Sequence, residues 1–284
     1  MLSTQELITG VNIGLIYGIL AIGIYFTFRT INFPDLTCDG SFTFGATVSA
    51  ILIKFGCDPW ISIILAMIAG GAAGFLTGVL NVWLKIEDLL AGIIVAFMLY
   101  SVNLRIMGTN PNITLMDVQT IFSGDGDGNI LTKMGILVFG ITAVISYVLN
   151  TDFGLGLRSV GQNRQFASAC GVNTNAMIMS GLVISNALIG ACGAIFSQYQ
   201  GVCDVSQGVG CLIIGLASVI IGEKLLTFRN VAWGIVACVV GSVLYRIFIA
   251  FAINSDVFGL KTQDLNLITG LMIIAIMMEK KCCK

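Results

Sequence analysis

The chain has 284 residues, of which 57% are hydrophobic and only 10% are charged, and its mean hydropathy is +0.97. A soluble domain carries roughly 25% charged residues, so this composition excludes an ordinary soluble protein and indicates a polytopic membrane protein. The net charge of −1 gives no support to nucleic-acid binding, and the absence of histidine removes the commonest general base and metal ligand.

Nine apolar runs approach the ~20 residues that cross a bilayer, and they predict an all-α membrane protein made of one domain, residues 1–284. The spans are placed at 7–28, 40–54, 60–84, 88–107, 132–150, 177–200, 209–226, 230–252 and 262–278. The first is too long for the core of a signal peptide and has no convincing cleavage site, so we expect it to remain as an anchor. In the third span, Gly70, Gly71, Gly74 and Gly78 favour close helix packing in lipid.

Basic residues divide unequally between the loops, which predicts the orientation of the chain. With the amino terminus outside, nine basic residues fall on the inner side and five on the outer side. The outer five are Lys54, Arg105, Lys133, Arg246 and Lys261. Since cytoplasmic loops carry the excess of Lys and Arg, this orientation is favoured. It places residues 156–175 and the tail that ends at Lys284 in the cytoplasm.

The connection between the fifth and sixth spans contains a short predicted helix with its own start and stop. Asn163 can cap the amides of its first turn, and Gly171 can take the left-handed conformation that ends it. A folded helix is more than a connector needs, and it suits a membrane protein that a soluble partner pushes. The longest outer loop, 108–131, has Gly-Asp repeats without the later acidic ligand of a calcium loop, so we expect a flexible loop there.

A weak internal repeat relates the two halves of the chain. Asp35-Leu36-Thr37 follows the first span and Asp204-Val205-Ser206 follows the sixth, each with a nearby glycine that leads into an apolar run. Spans one to four (1–107) therefore align with spans six to nine (177–284), and 108–176 supplies an outer loop, a linker span and the cytoplasmic helix. Because span one runs inward and span six outward, the halves would be inverted, an architecture common among transporters.

Polar residues at the edges of these spans are the candidates for a translocation path or gate. They are Asp35, Thr37, Asp39, Ser41, Gln198, Gln200, Asp204 and Ser206. Pro34 removes a backbone donor and breaks the helix just before this first group. Two interpretations stay open: these side chains line or gate a path, or they cap helix ends and bond the amides that the break frees.

The nine cysteines show no metal-ligand spacing, and most lie inside apolar runs, so we interpret them as small hydrophobic residues of a reduced protein. Cys57 and Cys203 both fall near predicted outer ends of spans, which leaves a disulfide between them open.

Motifs along nearly the whole chain resemble those of a known family. They are residues 28–35 with 39–42, 90–93, 161–163 with 171–172, 200–208 and 215–223. On these motifs the chain resembles the integral-membrane permease subunits of bacterial ABC importers of the branched-chain amino acid and ribose permease superfamily. It is most similar to permeases that accompany tryptophan/tyrosine-type binding proteins.

The resemblance implies a homodimeric pore in the lipid of the bacterial inner membrane, two cytoplasmic ATPase subunits and an external solute-binding protein. It places the ATPase-coupling helix on Gly161–Gly171, with Phe166 as an apolar anchor and Gln162, Asn163 and Arg164 as its polar rim. Gln162 departs from the acidic residue that related permeases often carry. The solute implied is an amino acid, with sugars and nucleosides open.

The chain lacks the phosphate-binding motif Gly-x-x-x-x-Gly-Lys-Ser/Thr, so we expect no catalytic residues and no cofactor in this chain, with ATP and Mg bound by a separate ATPase. Two alternatives stay open. A secondary transporter would also suit nine spans in inverted halves, although it normally keeps more ionisable groups deep in the membrane. An intramembrane aspartyl hydrolase could use Asp35 with Asp39 or Asp204 as a pair that shares a proton.

Overall fold

A computed structural model describes residues 4–108, 110–124, 126–226 and 231–254, with the isolated positions 269, 270 and 274. Its helices are α1 Thr4–Tyr25, continued by a π-helix Phe26–Ile31, then α2 Thr37–Lys54, α3 Pro59–Val82, α4 Asp88–Met107, α5 Asp127–Asn150, α6 Asp152–Gln162, α7 Arg164–Ala169, α8 Thr174–Gln200, α9 Cys211–Leu225 and α10 Val231–Asn254. Two short strands, β1 Asn112–Thr114 and β2 Val202–Asp204, lie between them.

Six helices of the described part are long and apolar enough to cross a membrane: α1 with its π-helical extension, α3, α4, α5, α8 and α10. The fourth predicted span, 88–107, coincides with α4. The second and seventh predicted spans correspond to α2, with 18 residues, and α9, with 15. Neither of these two helices is among the six that are long and apolar enough to cross a membrane. The ninth predicted span, 262–278, lies outside the described residues except at three isolated positions.

The break after the first membrane helix has a local cause. The π-helix ends at Ile31 and is followed by Asn32, whose φ of 56° is left-handed, and the Phe33 amide donates to the Thr27 carbonyl at 2.9 Å. Pro34 then prevents continuation of the helix, because it has no amide hydrogen to donate. The chain therefore turns back inside the fold, and α2 begins at Thr37.

Close helix contacts at glycines hold α2, α3 and α8 together. A Cβ on Gly45 of α2 would lie 2.1 Å from the carbonyl oxygen of Gly190 in α8. A Cβ on Gly74 of α3 would lie 2.3 Å from the carbonyl oxygen of Leu182, also in α8. These distances leave no room for a side chain, so the packing predicted for the third span is confirmed at Gly74. α8 is the most buried of the six candidate spans and forms the centre of the described fold.

The outer loop after α4 is partly ordered by strand pairing, which the prediction of a flexible loop missed. β1 pairs with β2 in antiparallel register, with Ile113 opposite Cys203. Ile113 and Leu115 are buried against the ends of α2 and α4. The loop thus covers the chain segment that connects α8 to α9.

Two sequence-based assignments of single residues are corrected. Cys57 is exposed and Cys203 is buried near the Thr47 hydroxyl, and both are free thiols, so the disulfide that the sequence left open does not form. Arg246, which was counted among the outer basic residues, lies inside α10. Its guanidinium carbon is 4.3 Å from the centre of the Tyr17 ring. A cation over an aromatic face can remain within an apolar helix pair, which a count of loop charges does not consider.

Candidate functional site

The Asp35 carboxylate lies inside the protein at the start of α2. The side chain is fully buried, and one oxygen accepts from the Thr37 amide at 2.8 Å. The other oxygen accepts from the Asn186 side-chain amide at 2.7 Å. A carboxylate among apolar helices is costly without such donors. In this conformation Asp35 therefore binds the first amide of α2 and the Asn186 side chain rather than lining open space.

Asn186, in the middle of α8, joins the polar residues at the start of α2 to the neighbouring helices. Its side-chain oxygen accepts from the Ser41 hydroxyl at 2.7 Å, and its amide also donates to the Leu182 carbonyl at 3.0 Å. The Thr37 hydroxyl bonds to that of Thr77 in α3 at 2.7 Å. The structure thus brings Asp35, Thr37 and Ser41 together. Sequence reasoning missed Asn186, although an amide side chain within an apolar run was the available signal.

Asp39 attaches α2 to the beginning of α9. Its two carboxylate oxygens accept from the backbone amides of Gly210, at 3.0 Å, and Leu212, at 2.9 Å. Amides at a helix start are free to donate and carry partial positive charge, so a carboxylate is well placed there. Gly208 packs against the Asp39 carbonyl, where a Cβ would lie 2.1 Å from the oxygen. The two chain breaks, after α1 and after α8, therefore meet at Asp39.

A cavity of about 360 Å³ opens beside this junction. Its walls are formed by Leu36, Asp39, Gly40, Thr43, Ile93, Ala96, Phe97, Tyr100, Asn103, Val205 and Val209. The lining is apolar except for a few side chains, among them Asp39 and Asn103. Asn103 is 1% exposed, and its side-chain oxygen has no hydrogen-bond partner.

The candidate residues Gln198, Gln200, Asp204 and Ser206 do not line this cavity, although Val205, between the last two, does. Asp204 accepts from the Ser206 amide at 2.7 Å, the same local turn that Asp35 makes with Thr37. Gln198 is buried, and its amide donates to the hydroxyls of Ser49 and Ser62, both at 3.1 Å. Gln200 is exposed and lines a separate cavity of about 220 Å³. The eight candidates therefore do not form one cluster.

The short helix predicted between the fifth and sixth spans is present as α7. The Asn163 side chain caps it by accepting from the Phe166 amide at 3.0 Å, and Gly171 follows it with φ of +86°. The predicted cap and stop are both confirmed. Ala167 points into the protein, whereas Phe166 is 67% exposed. α7 thus presents one exposed aromatic side chain among exposed polar and small residues.

Contacts with the membrane helices fix the position of α7. Arg164 donates to the Asp88 carboxylate at the start of α4, at 2.8 Å. Gly161, at the end of α6, packs on the π-helix, where a Cβ would lie 2.1 Å from the Thr30 carbonyl. Gln162 is exposed. Arg164, predicted as part of a polar rim, therefore also bonds within the chain. α7 contacts α4 directly, and the adjoining end of α6 contacts the π-helix.

A comparison with protein families matches residues 7–277 to the permease component of branched-chain amino acid transport systems. The chain belongs to this permease family. Among its relatives, the tyrosine transport system permease of Clostridioides difficile is 38% identical and the match covers 92% of this chain and 86% of that protein. A nucleoside ABC transporter permease of Lactococcus lactis is 28% identical over 86% of this chain and 73% of the relative.

A solved structure of a metal-chelate type ABC transporter in an inward-facing conformation has a similar fold. The TM-score is 0.53 at 14% identity, over 97% of this chain and 86% of the other. The permease is therefore a multi-pass protein of the inner membrane, mostly helical, with the fold of an ABC transporter permease. The two alternatives that the sequence left open, a secondary transporter and an intramembrane aspartyl hydrolase, gain no support from these comparisons. The carboxylates of Asp35 and Asp39 bind separate donors, so they do not form the shared-proton pair of an aspartyl hydrolase.

Proposed function

We propose that this permease is the transmembrane pore subunit of an ATP-driven importer that moves an amino acid delivered by an external binding protein. The relative named as a tyrosine transport permease, at 38% identity over 92% of the chain, favours an aromatic amino acid. The chain supplies the path, and a separate cytoplasmic ATPase subunit binds ATP and Mg and hydrolyses ATP. Two copies of the permease form the pore within the lipid.

The exposed face of α7 is the observation that carries the coupling role. Phe166 projects from a helix whose ends are fixed by the Asn163 cap and the turn at Gly171. An exposed aromatic with polar neighbours fits the anchor and rim of a small protein interface. A displacement of α7 would reach α4 through Arg164, and it would reach the π-helix through Gly161 at the adjoining end of α6.

Nine spans and two inverted halves complete the proposal. The equal turns at Asp35 and Asp204 and the meeting of both chain breaks at Asp39 support a repeat of this kind. α2 and α9 are short because each starts within the membrane after such a break. Rocking of one half against the other would then alternate access to a path that Asp35, Asp39 and Asp204 line or gate.

Phe166→Ala tests the coupling role. Loss of an aromatic anchor typically costs at least ~2 kcal/mol of binding, so we expect ATPase co-purification with the variant to fall more than tenfold. Uptake should fall with it while membrane insertion stays normal. Phe139→Ala in α5 is the matched control, since Phe139 is also exposed and lies on a membrane helix. Unchanged ATPase binding and uptake in Phe166→Ala would disprove the assignment.

A further inference from the structure

We propose that the cavity beside Asp39 is the chamber in which this permease holds the solute during passage, and that it fits an aromatic amino acid. This rests on the proposed function and adds the residues that contact the solute. The chamber is an open cavity that lies between α2, α4 and the segment that leads into α9. A solute there contacts elements from both halves of the chain, where relative movement of the halves would change its access.

The size and shape of the chamber suit a small molecule. Its volume of about 360 Å³ lies near the lower end of the ~300–1,000 Å³ that small-molecule sites occupy. On α4 the lining residues recur at helical spacing, at positions 93, 96, 97, 100 and 103, so one continuous face of that helix forms the wall. Phe97 and Tyr100 on this face are 73% and 49% exposed. Two accessible rings on one face can pack against an aromatic side chain.

The polar groups of the chamber distinguish an amino acid from a lipid chain. An ionised carboxylate has about four acceptor positions, and Asp39 uses two of them for Gly210 and Leu212. Asn103 has a buried oxygen without a donor, which costs about 1–3 kcal/mol while it stays unpaired. An ammonium group can donate to both residues, whereas an acyl chain offers no donor. The Tyr100 hydroxyl and the Asn103 amide supply donors for the solute carboxylate.

Access of water to the chamber is tested first. Val209 lines it and is 76% exposed, so Val209→Cys should react with a charged, membrane-impermeant thiosulfonate in membrane vesicles of one orientation or the other. Added tyrosine should slow this reaction at least fivefold. Ile136→Cys, on the exposed face of α5 outside the chamber, is the control and should not react. Reaction is read by mass spectrometry of the labelled peptide. A Val209→Cys thiol that is unreactive from both sides would mean a lipid-filled cavity and would overturn the proposal.

The solute contacts are tested by uptake of radiolabelled tyrosine in cells that carry the complete importer. Tyr100→Leu and Asn103→Leu should each lower uptake at least tenfold with unchanged ATPase co-purification. Tyr100→Phe should lower uptake less than Tyr100→Leu, because the ring remains and only the hydroxyl donor is lost. Tyr147→Leu, an exposed tyrosine of α5, is the matched control. If the wild-type importer takes up no amino acid, the proposed function fails, and tyrosine will not protect Val209→Cys. If the wild type transports tyrosine and both leucine variants equal it, the chamber assignment alone is wrong.

Discussion

Asp35 and Asp39 lie four residues apart, yet their carboxylates have different surroundings. Asp35 is fully buried and bonded to Thr37 and Asn186, which satisfies a charge that would otherwise be costly among apolar helices. Asp39 bonds the start of α9 and also borders a cavity. The first residue therefore positions α2, while the second is available to a solute.

Replacement of Asp35 by alanine should destabilise the permease. The change leaves the Thr37 amide and the Asn186 side chain without a buried acceptor, at a cost of about 1–3 kcal/mol of folding free energy. Thermal denaturation of the detergent-solubilised protein measures this loss of stability. Asp204→Ala removes the same kind of turn at a less buried position, so its effect should stay near ~0.5 kcal/mol. A larger loss from Asp204→Ala than from Asp35→Ala would contradict this account.

The packing of helices α2, α3 and α8 depends on glycines, which have no side chain, more than on large side chains. Lipid tails are as apolar as the side chains, so moving a side chain from lipid into a helix contact gains little free energy. Close packing of the backbones therefore drives the association of these helices. Gly45 and Gly74 each place backbone against a carbonyl of α8. The same closeness explains how Asn186 reaches Asp35 and Ser41 from the middle of α8.

A methyl group at Gly74 should separate α3 from α8. The Cβ of Gly74→Ala would lie 2.3 Å from the Leu182 carbonyl oxygen, and backbone cannot move aside as a flexible side chain would. Overpacking of this kind costs about 1–3 kcal/mol or more, so the melting temperature and the yield of folded protein should fall. Gly140→Ala in α5 is the control, because no heavy atom lies within 4 Å of the added Cβ. Equal melting temperatures for the two variants would refute the close-packing argument.

Hydropathy predicted the long helices well because length and apolarity are properties of single segments. The bounds of α4 match, and the Asn163 cap and the Gly171 stop of α7 follow from local backbone chemistry. The bonds of Asn186 to Asp35 and of Asp39 to Gly210 join residues far apart in the chain, and the pairing of β1 with β2 does the same. No local pattern specifies such partners, so the cavity and its lining could not be predicted from the sequence.

At the scale of the whole permease, the proposed orientation places the π-helix, α6 and α7 on the cytoplasmic side. Arg29 at the end of the π-helix forms an ion pair with Glu223 near the end of α9, and Arg164 of α7 forms one with Asp88 of α4. Exposed pairs of this kind contribute little stability, about 0–1 kcal/mol each. They connect the π-helix to α9 and α7 to α4, at the surface where the proposed ATPase would press.

Three native cysteines allow the orientation to be tested without new mutations. Cys57, between α2 and α3, is exposed and should react with an impermeant maleimide in intact spheroplasts, because the orientation places it outside. Cys170, just after α7, is also exposed and should react only after the membrane is permeabilised. Cys203 in β2 is the internal control: burial raises the pKa of its thiol to about 11, so it remains protonated near pH 7.5 and should stay unlabelled on both sides. Mass spectrometry of the labelled peptides reads all three sites. Labelling of Cys170 in intact spheroplasts, with Cys57 protected until permeabilisation, would invert the orientation and remove α7 from the side on which an ATPase could bind.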